Sequence, residues 1–358
     1  MPRFVFDDVC LAHLRCVTWP GWKSWRLHHP HPVVDWIRLV AHPPTASLAT
    51  WLREHAADDL REALARDAIG VLLPDDTDWP VLWHHIPDPP AVCFVRGTWN
   101  PEWLQTAIAV VGTRKPTSYG RTCLERLIRG LAAYPVSIVS GLALGIDGAA
   151  HEEALLHGLP AIAVLGSGLD DHHITPPSHF SLGMRLLERG GCLLSEYPPG
   201  TSGLPRHFPE RNRLIASLAR SVLVIEAAQD SGSLITAKIA LEYGRDVFAV
   251  PGPIWSPTSD GCHELIKQGA SVCTSSADLL ERFTLDQAAC VRHAQRPLPM
   301  SARDPLAQTI LEALREPRTL DALHTLLPVP ITDILARLST LELDGMIENM
   351  GDLWHMRS

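Results

Sequence analysis

Ala107-Ile108-Ala109-Val110-Val111-Gly112-Thr113-Arg114-Lys115 decides how the chain is read. Five apolar residues make one short buried strand, and a glycine turn bearing two cations follows. Tyr119–Ala133 then has the length of a helix. Further short apolar runs follow at Val136–Ser140, Ala161–Leu165, Cys192–Ser195, Val222–Glu226 and Val247–Val250, with helix-length segments such as Gly148–His157 separating most of them. Strand–helix alternation of this kind predicts an α/β fold around a parallel sheet. The runs end in polar or glycine-rich turns: Gly112-Thr113-Arg114, Ser140-Gly141-Leu142-Ala143, Gly166-Ser167-Gly168 and Pro251-Gly252. Ligands of open α/β sheets bind outside the carboxyl ends of the strands, so these turns would line the crevice.

Composition shifts suggest further units on either side. Nine of the eleven tryptophans precede residue 104. Ala46–Ala68 is helix-like, and Ala91–Val95 leads into the central sheet. Residues 1–75 are expected to form a mainly helical N-terminal region, and 76–282 the α/β core. Residues 283–304 lack a clear period and read as a linker. Beyond them Leu306, Ile310, Leu311 and Leu314 have helical spacing, as do Ile331, Ile334, Leu335, Leu338 and Leu341, with Leu320, Leu323, Leu326 and Leu327 between. Met346–Met350 and Asp352–Met356 could pair as a ribbon. Three helices and a ribbon over 305–358 predict a winged helix.

The 358 residues are 46% hydrophobic and 20% charged, which excludes a disordered or collagenous chain. No apolar run approaches the ~18 residues of a membrane span. Met1–Cys10 carries Asp7 and Asp8 without an apolar stretch, unlike a secretory leader. Eight scattered cysteines with no C-x-x-C pair argue against a disulfide framework or a zinc site and suggest a cytoplasmic location. A net charge of −9 cannot hold nucleic acid in bulk, so any such function needs a local basic site.

Arg206-His207-Phe208-Pro209-Glu210-Arg211-Asn212-Arg213 supplies one: from Arg206 to Arg220 four arginines face one glutamate. Guanidinium forks for phosphates and an aromatic face for a base are the parts of a single-strand groove. The plainer alternative is a surface loop in ion pairs, with Arg220 the candidate for such a pair. Gly112-Thr113-Arg114 between strand and helix suits a phosphate, but matches neither G-x-G-x-x-G nor the P-loop. Asp147 reads as a helix N-cap or a site residue, and His151 as a packed histidine. Ser231-Gly232-Ser233, with Thr236 beyond, either caps a helix or binds an anion. No G-x-S-x-G elbow or H-E-x-x-H is present, and adjacent histidines such as His172 and His173 point apart, so no metal is expected. Trp19, Trp22 and Trp25 could stack bases but suit packing better.

Taken in order, several motifs resemble the DNA-processing protein A family (DprA, also called Smf). They are Asp78-Trp79-Pro80, Val110-Val111-Gly112-Thr113-Arg114, Ser140-Gly141-Leu142-Ala143 with Gly145-Ile146-Asp147 and Ala150-His151, Ser195-Glu196-Tyr197-Pro198, Phe208-Pro209-Glu210-Arg211-Asn212-Arg213-Leu214-Ile215, Ser231–Ala237 and Val250-Pro251-Gly252. Thr175 stands where the family usually has a tyrosine, and residues 1–70 match its helical N-terminal module only faintly. The resemblance implies an extended Rossmann-like fold that binds single-stranded DNA, protects incoming strands and loads the recombinase RecA during natural transformation. It also implies a homodimer, no cofactor and no catalytic activity. The DNA-contacting set implied by the family's pocket and the basic cluster is Gly112, Arg114, Ser140, Gly141, Gly166, Arg206, Phe208, Arg211, Asn212 and Arg213, with Ser231, Ser233 and Thr236. Two alternatives belong to other classes: a nucleoside-monophosphate phosphoribohydrolase on a related fold, or a small-nucleotide sensor. The first needs P-G-G-x-G-T-x-x-E, and Ser231–Ala237 carries neither P-G-G nor the glutamate.

The winged helix is acidic: residues 303–358 hold 5 arginines against 9 acids. Its presumed recognition helix, Ile331–Gly345, has Arg337 alone against Asp333, Glu342 and Asp344. A groove-reading helix adds phosphate-neutralising charge, so a protein-contact or regulatory role is expected instead.

Overall fold

The computed structural model describes residues 57–281, 283, 305–314, 316–327, 329–343, 347–350 and 353–356. Trp19, Trp22, Trp25, the helix-like stretch before Ala57 and nearly all of the expected linker lie outside them. The chain divides into two compact units, Met1–Cys290 and Val291–Ser358.

In the first unit, α1 (Ala57–Arg66) leads into β1 (Ile69–Leu72), and β2 (Cys93–Gly97) follows. The strand–helix alternation then runs β3 (Ala107–Val111), α2 (Ser118–Leu131), β4 (Ser137–Ser140), α3 (Ile146–Leu156), β5 (Ala161–Leu165), α4 (Phe180–Glu188) and β6 (Cys192–Ser195). After it come α5 (His207–Leu218), β7 (Ser221–Val224), α6 (Gly232–Glu242), β8 (Asp246–Ala249), α7 (Asp260–Lys267), β9 (Ser271–Val272) and α8 (Ser276–Leu280). The nine strands form one sheet in the order β1-β2-β6-β5-β4-β3-β7-β8-β9. From β6 to β9 all neighbours are parallel, whereas β1–β2 and β2–β6 are antiparallel. This is the expected doubly wound sheet, extended at one edge by two strands. The sheet begins before residue 76, since Ile69 pairs with Arg96 and Leu72 with Cys93.

Side chains alternate across each strand and build two cores. Ile108 and Val110 of β3 pack with Leu124, Ile128 and Leu131 of α2, together with Ala150 of α3 and Leu186 of α4. Ala107, Ala109 and Val111 face the other way, toward Leu214 and Ile215 of α5, Ala237 and Ala240 of α6, and Leu265 of α7. Helices therefore cover both faces, as a buried parallel sheet requires. Tryptophans of the 79–103 segment serve this second core. Trp79 and Trp83 meet edge to face at 4.8 Å, and the fully buried Trp83 donates from Nε1 to Ser217 Oγ at 2.8 Å.

The second unit is a winged helix. It comprises α9 (Pro305–Ala313), β10 (Arg318–Thr319), α10 (Leu320–Leu326), α11 (Ile331–Leu343), β11 (Ile347–Met350) and β12 (Leu353–Met356). The expected ribbon forms, Ile347 opposite Met356, and β10 adds a third strand beside β12. Its own core holds Ala307, Ile310, Leu314, Leu323, Ile334, Leu338, Leu341, Ile347 and Trp354.

Candidate nucleic-acid interface

The order of the parallel strands reverses between β3 and β7, so the ligand-binding crevice lies at their carboxyl ends. The turns after β3, β4 and β5 meet there, and α5 begins across them. His207, the first residue of α5, reaches Gly166 at the end of β5, with 3.2 Å between its Nδ1 and the glycine carbonyl. Its ring stacks on Tyr197 at 4.1 Å between centroids, and the Tyr197 hydroxyl donates to Glu210 at 2.8 Å. One residue on, Phe208 extends to the end of β3, where the Arg114 guanidinium lies over its ring at 5.5 Å. Arg114 and Arg206 are both exposed, and no carboxylate among the described residues ion-pairs with either. The rim thus presents two cations without an ion-pair partner among the described residues, and a half-buried aromatic face. Asn212, one turn further along α5, points to the start of α6, 3.5 Å from the Gly232 carbonyl.

The other two arginines of the cluster turn inward. Arg211 is 3% exposed and donates from Nη1 to the carbonyls of Gly141, at 2.7 Å, and Val164. Burial lowers its pKa to about 10, against the pull of Asp147. Arg213 is also buried, with Nη2 2.6 Å from Glu196 and Nε 3.2 Å from Asp88. Burial opposes its charge, but the two carboxylates win and raise its pKa. The expected ion pair of the cluster therefore falls on Arg213. None forms at the exposed Arg220 among the described residues. Arg211 and Arg213 belonged to the expected DNA-contacting set. The structure gives both to the scaffold, because each guanidinium is desolvated and already holds an internal acceptor.

The glycines and hydroxyls of the expected set also face protein atoms. A Cβ on Gly141 would lie 2.4 Å from Arg211 Nη1 and 2.5 Å from Asp147 Oδ2; one on Gly112 would lie 2.7 Å from Ile146 Cγ1. Ser140 is fully buried and donates to the Val110 carbonyl at 2.6 Å. Ser231 caps α6, accepting from the Ser233 N–H at 3.4 Å, while Ser233 and Thr236 are buried in its first turns. Asp147 is no N-cap, since Gly145 holds that position in α3; its Oδ2 accepts from the Gly141 N–H at 3.2 Å. Burial raises the Asp147 pKa, countered by Arg211.

His151 is packed, as expected, and fully buried. Among the described residues neither ring nitrogen has a hydrogen-bond partner, and desolvation lowers its pKa to about 3. The nearby Ser140 backbone favours the charged ring slightly without a bond of good geometry. The sequence hides the roles of two further residues. Glu196 and Glu226 each follow a strand, and nothing in their spacing shows that they anchor Arg213 and the Thr117 turn. Among the described residues no cluster of histidine, cysteine or carboxylate groups could hold a metal, and no helix is long and apolar enough to cross a membrane.

Residues 70–284 match the model of DNA recombination-mediator protein A, and residues 294–352 that of the DprA winged helix domain. Protein Smf of Escherichia coli K12 is 39% identical over 281 residues, covering 77% of this chain and 74% of that protein. DNA processing protein DprA of Streptococcus pneumoniae R6 is 46% identical over 213 residues, 59% of this chain and 73% of that protein. The crystal structure of DprA from Streptococcus pneumoniae superposes with a TM-score of 0.65 at 32% identity, covering 79% of this chain and all of that one. Helicobacter pylori DprA, whose structure describes a single-stranded DNA binding mode, matches with a TM-score of 0.52 at 29% identity over 60% of this chain and 94% of that one. With both units matched in order, the chain belongs to the DprA/Smf family, a family of DNA processing and recombination.

Proposed function

We propose that the chain binds single-stranded DNA along the strand-end rim, protects incoming strands and loads a RecA-type recombinase onto them. One observation carries the reading: Arg114 and Phe208, far apart in sequence, meet at the crevice as a cation over an aromatic face. Phe208 offers a surface for a base, worth about 1–3 kcal/mol, while Arg114 and Arg206 take phosphates as charge-assisted forks. The strand contact described for the Helicobacter pylori relative supports the same use of this fold. Asn212 and the capped start of α6 extend the rim beyond Phe208. We assign no catalytic step and no cofactor, a cytoplasmic location, and a homodimer as the working form.

Fluorescence titration of labelled oligo-dT across a salt series tests this reading. Binding should weaken linearly with log salt, with a slope near 0.7 per phosphate neutralised. No binding at 50 mM salt would sink it. A stoichiometry of strand per chain, read against the mass in solution, checks the homodimer.

A further inference from the structure

In a doubly wound sheet the start of the helix that follows the first parallel strand is the seat for a ligand phosphate, next to the point where the strand order reverses. Here that helix is α2, and the strand across the reversal is β7. The seat is filled from within. Glu226 lies two residues beyond β7 and is 3% exposed. Its Oε2 accepts from the Thr117 N–H at 2.8 Å, and its Oε1 from the Thr117 hydroxyl at 2.7 Å. The Thr258 hydroxyl adds a third donor at 3.1 Å. A Cβ on Gly120 would stand 2.2 Å from Oε2, so only glycine in the first turn of α2 admits the carboxylate. The Glu226 carbonyl accepts from the Thr113 N–H at 2.7 Å, which fixes the residue at its backbone as well.

No cation among the described residues ion-pairs with Glu226. A buried charge without a counter-ion is costly unless donors and a dipole compensate it, and the N-terminus of α2 supplies both. Thr117 N–H, its hydroxyl and the Thr258 hydroxyl are the donors a phosphate would use. We propose that Glu226 is a built-in anion, a specificity-determining residue that keeps the phosphate of a free mononucleotide out of the crevice. A strand is left to run along the outer rim, over Arg114, Arg206 and Phe208. This use of the rim rests on the single-strand reading above; the exclusion at the seat does not.

The test is calorimetric titration of AMP and inorganic phosphate into the full chain, its Glu226→Ala variant and its Glu226→Ser variant, with oligo-dT titrated in parallel. The parent should take up neither AMP nor phosphate at millimolar concentration. The variants should bind both, at least about tenfold more tightly than the parent, because the seat's donors are left unpaired. Their melting temperature should rise as phosphate is added. If a variant is too unstable to purify, refolding in phosphate or acetate replaces the titration, and recovery in either supports the proposal. Folded variants indifferent to phosphate, acetate and AMP would overturn it. So would variants that no anion rescues, or a parent that binds AMP as tightly as the variants do. Loss of oligo-dT binding by the parent would instead remove the single-strand reading while its AMP titration still judged Glu226.

Discussion

Four arginines in fifteen residues look alike in a sequence, and burial separates them into two trades. Arg206→Ala and Arg114→Ala should each weaken oligo-dT binding and lower the salt slope by about 0.7, with little change in melting. Arg213→Ala should do the reverse. It strands Glu196 beside an emptied site, a loss of about 3 kcal/mol by analogy with broken buried pairs. Its salt slope should match the parent's, and a drop like that of Arg206→Ala would contradict the assignment. The glycines were legible as close approaches, but not what approaches them: a missing Cβ reads the same whether the neighbour is DNA or the Arg211 guanidinium. His151 allows a second forecast. Its native pKa of about 3 lies below the ~6.5 of an unfolded histidine, so below pH 6.5 only the unfolded chain takes the proton. Stability should therefore fall as pH drops from about 6.5 toward 3 and be unaffected by this group above that window. Between pH 7 and 5 the loss is about 2 kcal/mol. Urea unfolding of the parent and of His151→Leu at both pH values checks this, and equal pH dependence in the two would refute it.

Among the elements, the core strands were readable to within a residue or two because their apolar runs are buried on both faces. Strand β1 was not. Ile69-Gly70-Val71-Leu72 is four residues long and follows a helix directly, and its partner, β2, lies some twenty residues away. Nothing local announces such a pairing. Helix α5 is the element that joins fold to rim. Its buried side carries Arg211, Leu214 and Ile215 into the sheet, while Phe208 and Arg206 stay at its start. Gly141 is the point of contact beneath it. Gly141→Ala would drive a methyl into Arg211 Nη1 and Asp147 Oδ2, costing about 1–3 kcal/mol as overpacking. The displaced Arg211 would shift the start of α5, so oligo-dT affinity should fall along with the melting temperature. Wild-type affinity with a lowered melting temperature would show that α5 is held independently of this contact.

At the scale of the whole molecule the two units have separate cores, which makes their functions separable. The exposed part of α11 offers Ile331 and Leu335, with Asp333, Arg337 and Glu342, a surface poor in net positive charge. A chain ending near Leu280 should therefore keep oligo-dT affinity within about threefold, ~0.7 kcal/mol. The isolated 303–358 unit should fold and bind neither single-stranded nor duplex DNA. A duplex gel shift by that unit, abolished by Arg337→Ala, would return a DNA role to the winged helix. Gly145, which opens α3, stands at φ +84°. A Cβ there would sit 2.3 Å from the Thr113 carbonyl oxygen and 2.6 Å from Arg114 Cα, and the Ile146 N–H is bonded to that same carbonyl at 3.1 Å. The turn that carries Arg114 thus has no slack against α3 and needs no rearrangement of its own to receive a strand. Capture of a strand should be a single kinetic step: in stopped flow, an observed rate linear in oligonucleotide concentration without a plateau, slowed by salt through encounter alone.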